Sequence, residues 1–142
     1  HDAAIAASFR IKDSLRDTEQ KITELALLSK HIATYRKLKP VYDRYKASSD
    51  KEKFLRGFES EIILFEAAAR AIKAAGIGKL PSSERLQTDM EALTTRKTVL
   101  QAEYQKAKKE EREYDTLRQN VNMLLAVPKE QEQQRQRSND LE

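Results

Sequence analysis

Apolar and small residues recur at helical spacing through the first third of the chain. Between Ala3 and Lys39 neither glycine nor proline interrupts this pattern. The spacing of three and four residues predicts one long helix over residues 3–39, with a seam along one side. Three of the eight seam positions carry hydroxyl groups: the seam runs Ser8, Ile11, Leu15, Thr18, Ile22, Leu25, Ser29, Ile32.

A shorter helical head is predicted over residues 41–80. Pro40 lacks a backbone N–H and is expected to kink or end the first helix. Asp50 follows two serines and is expected to cap the next helix, which Gly57 should break or bend. Residues 62–77 are apolar around much of a helical circumference, so we expect neighbouring elements to cover them on more than one side.

The last third of the chain has the most regular pattern. It predicts a helix over residues 83–127 that packs against another helix in a left-handed supercoil. Pro128 is expected to end this helix, and residues 128–142 read as a polar tail whose last two residues are typical of a cloning-site remnant. The apolar row recurs every seven residues, at Leu86, Leu93, Leu100, Ala107, Tyr114 and Val121.

These elements predict an all-α fold in a single helical domain over residues 1–127. Neither long helix buries its apolar row alone, so we expect them to pair. The preferred arrangement is an elongated antiparallel hairpin, similar to a coiled coil, with the head at its closed end. The alternative is a three-helix bundle in which residues 50–75 run back between two parallel long helices.

Composition supports the helical reading and narrows the chemistry. Charged residues make up 35% of the 142 residues and aromatic residues only 6%, which is typical of long helices and unlike a sheet protein. The chain contains no cysteine, so disulfides, thiolate nucleophiles and zinc–thiolate sites are excluded. No apolar run approaches the ~20 residues that cross a bilayer, and we expect a cytoplasmic location without membrane insertion.

The one motif that suggests a phosphate-binding loop is GIGK at residues 76–79. A Walker A loop needs a glycine five residues before its second glycine and a Ser or Thr after its lysine. Here those positions hold Lys73 and Leu80, and the preceding residues favour a helix rather than a strand. The segment instead predicts a helix that ends at Gly76, with one of the serines after Pro81 capping the next helix.

No other residues form a catalytic constellation. His31 has no second histidine or carboxylate pattern near it, and Glu110 and Glu111 lie in a run of alternating charges typical of a solvated helix face. We therefore expect no enzyme activity in this piece, no cofactor and no metal site.

Positive charge gathers around the junction of the first helix and the head. Residues 30–56 hold nine Lys or Arg against three acids, and Tyr35, Tyr42 and Tyr45 alternate with them. This pattern is typical of a surface that contacts a nucleic-acid backbone, although lysine-rich helices also occur simply for solubility. The candidate DNA-backbone contacts are Arg36, Lys37, Lys39, Arg44, Lys46, Lys51, Lys53 and Arg56.

Five stretches together resemble the helical C-terminal region of relaxases, the mobilization nucleases of bacterial conjugative elements and plasmids. The resemblance covers roughly residues 15–127 and rests on packing and turn residues. The stretches are LKPVYDRY at 38–45, FL at 54–55, EIILFEAA at 61–68, KLPS at 79–82 and RQNVNMLL at 118–125.

The resemblance implies a part of a DNA-processing protein that lies outside the nuclease domain. That family's nucleophilic tyrosine and metal-binding histidine cluster have no counterpart here, so the catalytic domain would belong to a longer parent protein. The implied function is a non-catalytic accessory domain that supports assembly of the relaxosome or the transfer machinery. Protein partners of a DNA-transfer complex are therefore expected.

Two alternatives remain open at this level. The chain is also interpretable as a non-specific DNA-backbone binder that uses the basic residues of the 30–56 stretch. A third interpretation is a self-associating coiled coil, since a second copy would complete the half-polar seams and produce a homodimer.

Overall fold

A computed structural model of the chain describes the backbone of residues 2–140 and the side chains of residues 2–126. Within these residues the chain forms three α-helices and no strand: α1 (Asp2–Ala47), α2 (Lys51–Ala74) and α3 (Ser83–Asp140). The predicted all-α fold is confirmed.

Helix α1 continues past Lys39, so the prediction that Pro40 could end the helix is wrong. Pro40 lies inside the helix, which continues to Ala47. A mid-helix proline costs roughly 3 kcal/mol through one lost hydrogen bond and a steric clash. The aromatic residues that follow it pack on α2, and their burial offsets this cost.

The turn between α1 and α2 follows its local sequence. The Ser48 amide donates to the Tyr45 carbonyl oxygen at 3.2 Å, and the Asp50 carboxylate accepts from the Lys53 amide at 3.1 Å. Asp50 is thus the predicted N-cap of α2. The bend expected at Gly57 is present at the next residue, Phe58, whose φ of −135° and ψ of 27° depart from helical values.

The predicted head over residues 41–80 reduces to α2 and the turn that follows it. Gly76 has a φ of +76°, the left-handed conformation expected at a helix end, and its amide donates to the Lys73 carbonyl oxygen at 3.0 Å. Ser82 accepts from the Arg85 amide at 3.0 Å and caps α3. Both predictions about this turn are confirmed.

Helix α3 also runs further than expected, because Pro128 does not end it and the backbone remains helical to Asp140. The residues after Pro128 are mainly Glu, Gln and Arg, which are strong helix formers and need no apolar row to stay helical. The prediction of a cloning remnant at 141–142 lies outside the described residues.

Two compact units divide the chain, one of Asp17–Lys97 and one that joins His1–Arg16 to Thr98–Glu142. The grouping of residues 1–127 as a single domain stays a prediction. Each unit contains a stretch of α1 and a stretch of α3, and only Asp17–Lys97 contains α2.

The Asp17–Lys97 unit has a core to which all three helices contribute. Its centre is Ile32 from α1, Ile72 from α2 and Leu86 from α3. Here α1 and α3 run antiparallel, as the preferred hairpin requires: Glu19 pairs with Lys97, whereas Arg36, further along α1, reaches back to Pro81. Partly buried apolar residues surround the centre: Leu25, Leu28, Tyr35, Ile77 and Leu80.

The unit of His1–Arg16 and Thr98–Glu142 has a thinner and more polar seam. Leu100 is buried there. The Ser8 side chain is only 4% exposed, and its hydroxyl donates to Glu111 Oε2 at 3.1 Å. Lys108 completes this polar layer with an ion pair to the same carboxylate at 3.5 Å. Ser8, one of the hydroxyl seam positions, therefore makes a polar contact with α3. Glu111, expected on a solvated helix face, instead lies partly buried in this seam, with its side chain 19% exposed.

Candidate functional site

The eight basic residues proposed to contact DNA lie in one unit, Asp17–Lys97, on the last turns of α1 and the first turns of α2. Every one of their side chains is exposed. The predicted residues therefore lie on the two helices that the turn at Ser48–Asp50 joins, spread over about three turns of α1 and the first two turns of α2.

Three of these side chains are already used within the chain. The Arg36 guanidinium donates to the Pro81 carbonyl oxygen and ties α1 to the turn before α3. Lys39 forms an ion pair with Asp43 at 3.2 Å, and Arg56 Nε donates to the carbonyl oxygen of Glu52 at 3.4 Å. Exposed pairs of this kind hold the side chain only weakly, because solvent screens them.

Two more cations lie against aromatic rings. The Arg44 guanidinium carbon is 5.7 Å from the ring centre of Phe54 and 5.8 Å from that of Phe58. Lys46 Nζ is 5.4 Å from the ring centre of Tyr42. These distances are typical of cation–π contacts, so both residues have a packing role that their charge did not reveal.

The other three basic residues, Lys37, Lys51 and Lys53, make no hydrogen bond or ion pair through their side chains within the described residues. Lys30, also exposed, lies seven residues before Lys37, and Arg44 lies seven residues after it. Residues seven apart share a helix face, so three cations form a row along α1. We call Lys30, Lys37, Arg44, Lys51 and Lys53 the basic corner.

The tyrosines among these cations pack inward. Phe65 is buried and stacks against Tyr35 and Tyr42, with ring centres 4.7 and 4.3 Å away. Tyr45 continues the row towards Phe54 at 6.1 Å. These rings join α1 to α2, so the tyrosines are helix-packing residues rather than platforms for stacking bases.

A second candidate surface lies on α3, where every side chain from Arg112 to Ala126 is exposed. Five large apolar residues share one side of the helix here, and we call them the α3 apolar surface. They are Tyr114 (45% exposed), Leu117 (61%), Val121 (46%), Leu124 (73%) and Leu125 (68%).

Sequence reasoning assigned Val121 to the apolar row that packs on the other long helix, and this is wrong because Val121 is 46% exposed and every described residue after it is exposed too. Tyr114, from the same row, is 45% exposed and also has a contact within the chain. The missed signal is a change of spacing. Earlier in α3 an apolar residue lies four positions after a member of the seven-residue row, as Tyr104 follows Leu100. From Tyr114 onward an apolar residue lies three positions after each member of the row: Leu117 follows Tyr114 and Leu124 follows Val121. The apolar face therefore turns around the helix at this point.

Helix α2 is apolar over much of its circumference, as predicted, but only one side is covered. Ile62 and Phe65 are buried, whereas the neighbouring Ile63 and Leu64 are 54% and 55% exposed. The expectation that other elements cover α2 on more than one side is wrong for these two residues.

The remaining chemistry is sparse. Within the described residues no group of three or more histidine and carboxylate side chains is placed to hold a metal ion. No described helix contains an apolar stretch that would span a bilayer. Lys79, the lysine of the GIGK segment, is exposed beside a helix-ending turn.

Comparison with known proteins identifies no relative: no family model, no curated protein and no solved structure matches this chain.

Proposed function

We propose that this chain is a non-catalytic interaction module of a relaxase-like DNA-mobilization protein, and that it binds an amphipathic helix of a protein partner through the α3 apolar surface. The observation that carries the proposal is the exposure of five large apolar side chains on one side of α3. The placement in a relaxase-like parent rests on the sequence resemblance alone.

The spacing of these side chains supports recognition of a helix. Tyr114, Leu117, Val121 and Leu124 stand at positions i, i+3, i+7 and i+10, the pattern by which one helix packs against another. Contiguous exposed apolar side chains on a protein of this size mark interaction sites more often than isolated ones do. The partner we propose is a protein of the relaxosome or the coupling apparatus, in the cytoplasm.

A pull-down with the full 142-residue chain tests this function. Purified relaxosome and coupling-protein components of a conjugative system serve as prey. We expect at least one of them to be retained, and Leu117→Glu together with Leu124→Glu to abolish its retention. Leu27→Glu is the matched control, since Leu27 is 55% exposed on α1 and lies outside the surface. Retention that survives the double substitution, or no retention by the native chain, would contradict the proposal.

Non-specific binding to a nucleic-acid backbone is a second candidate, favoured by the basic corner. Lys37, Lys51 and Lys53 are exposed and have no competing partner within the described residues, so their ammonium groups can approach phosphates directly. No arrangement for reading bases accompanies them in residues 2–126, whose side chains the structure describes, and we infer contact with phosphates alone.

A gel-shift titration across a salt series tests this candidate. We expect the Lys37→Glu, Lys51→Glu, Lys53→Glu variant to lose affinity and to lower the salt slope by up to about 3, because each phosphate contact contributes about 0.9. A variant with Lys12, Lys73 and Lys106 each changed to Glu has the same net charge and should bind more tightly than the basic-corner variant. Equal loss in both variants would show that only net charge matters.

A further inference from the structure

We propose that the α3 apolar surface also pairs with a second copy of this chain, and that the two α3 helices lie parallel over residues 114–124. This inference rests on the proposed function in one respect, namely that this surface binds a helix. It goes further by adding a different occupant of the surface, a second copy of this chain, and by giving the orientation of that copy.

The apolar positions match a two-stranded parallel coil. With Tyr114 taken as an a position, Val121 is the next a, and Leu117 and Leu124 are the d positions. A β-branched residue at a with leucine at d favours two parallel strands over larger assemblies. Val121 and both leucines satisfy that preference.

The flanking charges decide the orientation. Glu113 precedes the first a position and Arg118 follows the first d position, and both side chains are exposed. In a parallel pair these g and e positions face each other across the interface, so Glu113 of each copy meets Arg118 of the other. In an antiparallel pair the e positions face each other, and the two Arg118 side chains would repel.

Glu113 already contacts Lys109 within its own chain, but this contact leaves it able to pair with Arg118 of the second copy. Its carboxylate lies 4.0 Å from Lys109, at the outer limit of an ion pair, and the two side chains are 66% and 73% exposed. So long and exposed a pair is weak. The Glu113 carboxylate can therefore exchange it for a pair with Arg118 of the second copy.

The same pattern limits the length of the pairing. One heptad before Leu117 the d position is Glu110, and one heptad after Val121 the a position is Pro128. The apolar interface therefore comprises two heptads, and we expect a concentration-dependent dimer rather than an obligate one.

Sedimentation of the full chain across protein concentration, from roughly 1 µM to 1 mM, measures the association. We expect a monomer–dimer equilibrium that Leu117→Glu abolishes and Leu27→Glu leaves unchanged. A chain that stays monomeric over the whole range overturns the inference. Loss of association in both variants would overturn it as well, because the α3 apolar surface would then not be responsible.

Charge reversal tests the parallel register. We expect Arg118→Glu alone to weaken the dimer about 3- to 10-fold, since it replaces two attractive pairs with repulsion. Adding Glu113→Arg should restore the affinity to within about threefold, because the pairs are re-formed with their signs exchanged. A double variant as weak as the single one contradicts the parallel arrangement.

A single cysteine provides a second measure of orientation, because the native chain has none. In a parallel pair Leu124→Cys lies opposite itself, at a separation that a disulfide spans, so mild oxidation should yield a covalent dimer. In an antiparallel pair position 124 lies opposite Tyr114 and no cross-link forms. Leu27→Cys is the control and should remain monomeric.

The outcomes separate this inference from the proposed function. A monomeric chain that still retains a transfer component through Leu117 and Leu124 sustains the proposed function and overturns the homodimer. A dimer that is sensitive to Leu117→Glu, formed by a chain that retains no component, sustains the homodimer and overturns the proposed function.

Discussion

The Asp17–Lys97 unit and the unit that joins His1–Arg16 to Thr98–Glu142 use their apolar side chains in different ways. In the first, each of three helices supplies a residue to one buried centre. In the second, two helices share a seam that includes the buried hydroxyl of Ser8, while apolar side chains further along α3 are exposed. Where the third helix contributes, the apolar row becomes part of a buried centre, whereas the row on α3 that lacks such a neighbour stays exposed.

The largest expected effect is at the aromatic packing of the three-helix unit. Phe65→Ala should lower the free energy of unfolding by about 3–5 kcal/mol, because it removes a buried ring and leaves a cavity between α1 and α2. Urea denaturation followed by circular dichroism measures the change. Phe9→Ala is the matched control, since Phe9 is 62% exposed and should cost little. Equal losses would show that the two units do not differ in this way.

A smaller effect is expected at the polar layer of the two-helix seam. Ser8→Ala should cost about 1 kcal/mol, the usual net value of a hydrogen bond whose acceptor is left in a partly buried position. Ser60→Ala, at an exposed position of α2, is the control and should change the free energy of unfolding by less than about 0.5 kcal/mol. A stabilised Ser8→Ala variant would mean that the hydroxyl contributes nothing to stability in this seam.

The smallest effect on stability is expected on the α3 apolar surface itself. Leu117→Ala should change the free energy of unfolding of the dilute chain by less than about 0.5 kcal/mol, because the side chain is already 61% exposed. Amide hydrogen exchange sharpens the comparison: the amides around Ile32 should exchange far more slowly than those of residues 112–126. Similar protection in both places would contradict the contrast between the units.

Features decided by a few neighbouring residues were predictable from sequence. Asp50 and Ser82 cap helices, and Gly76 ends one, because their side chains or backbone freedom act within three or four residues. Pro40 and Pro128 were misjudged for two different reasons. At Pro40, packing on another helix outweighs the local penalty of a proline. At Pro128, the strong helix formers that follow it in the sequence outweigh that penalty.

The candidate surfaces were predictable only in part. Sequence indicated where positive charge gathers, but not that Arg44 and Lys46 lie against aromatic rings. Nor did it indicate that the Lys37 side chain makes no hydrogen bond or ion pair with the other described residues. The heptad pattern of α3 indicated a face that packs against another helix. It did not indicate which helix, if any within the chain, covers each turn of α3. The change from four-residue to three-residue spacing at Tyr114 was the clue, and it becomes meaningful once the exposure of Leu117 is known.

The polar layer at Ser8 and Glu111 also constrains how α1 can align with α3. Sliding α1 by one heptad would place Leu15 opposite Glu111, and the carboxylate would then face an aliphatic side chain without a hydroxyl donor. A uniformly apolar seam would tolerate such a slip, since every heptad looks alike to its neighbour. Ser8 thus fixes the register of α1 against α3. It contributes little to the stability of the seam, but it makes one alignment of the two helices more favourable than an alignment shifted by a heptad.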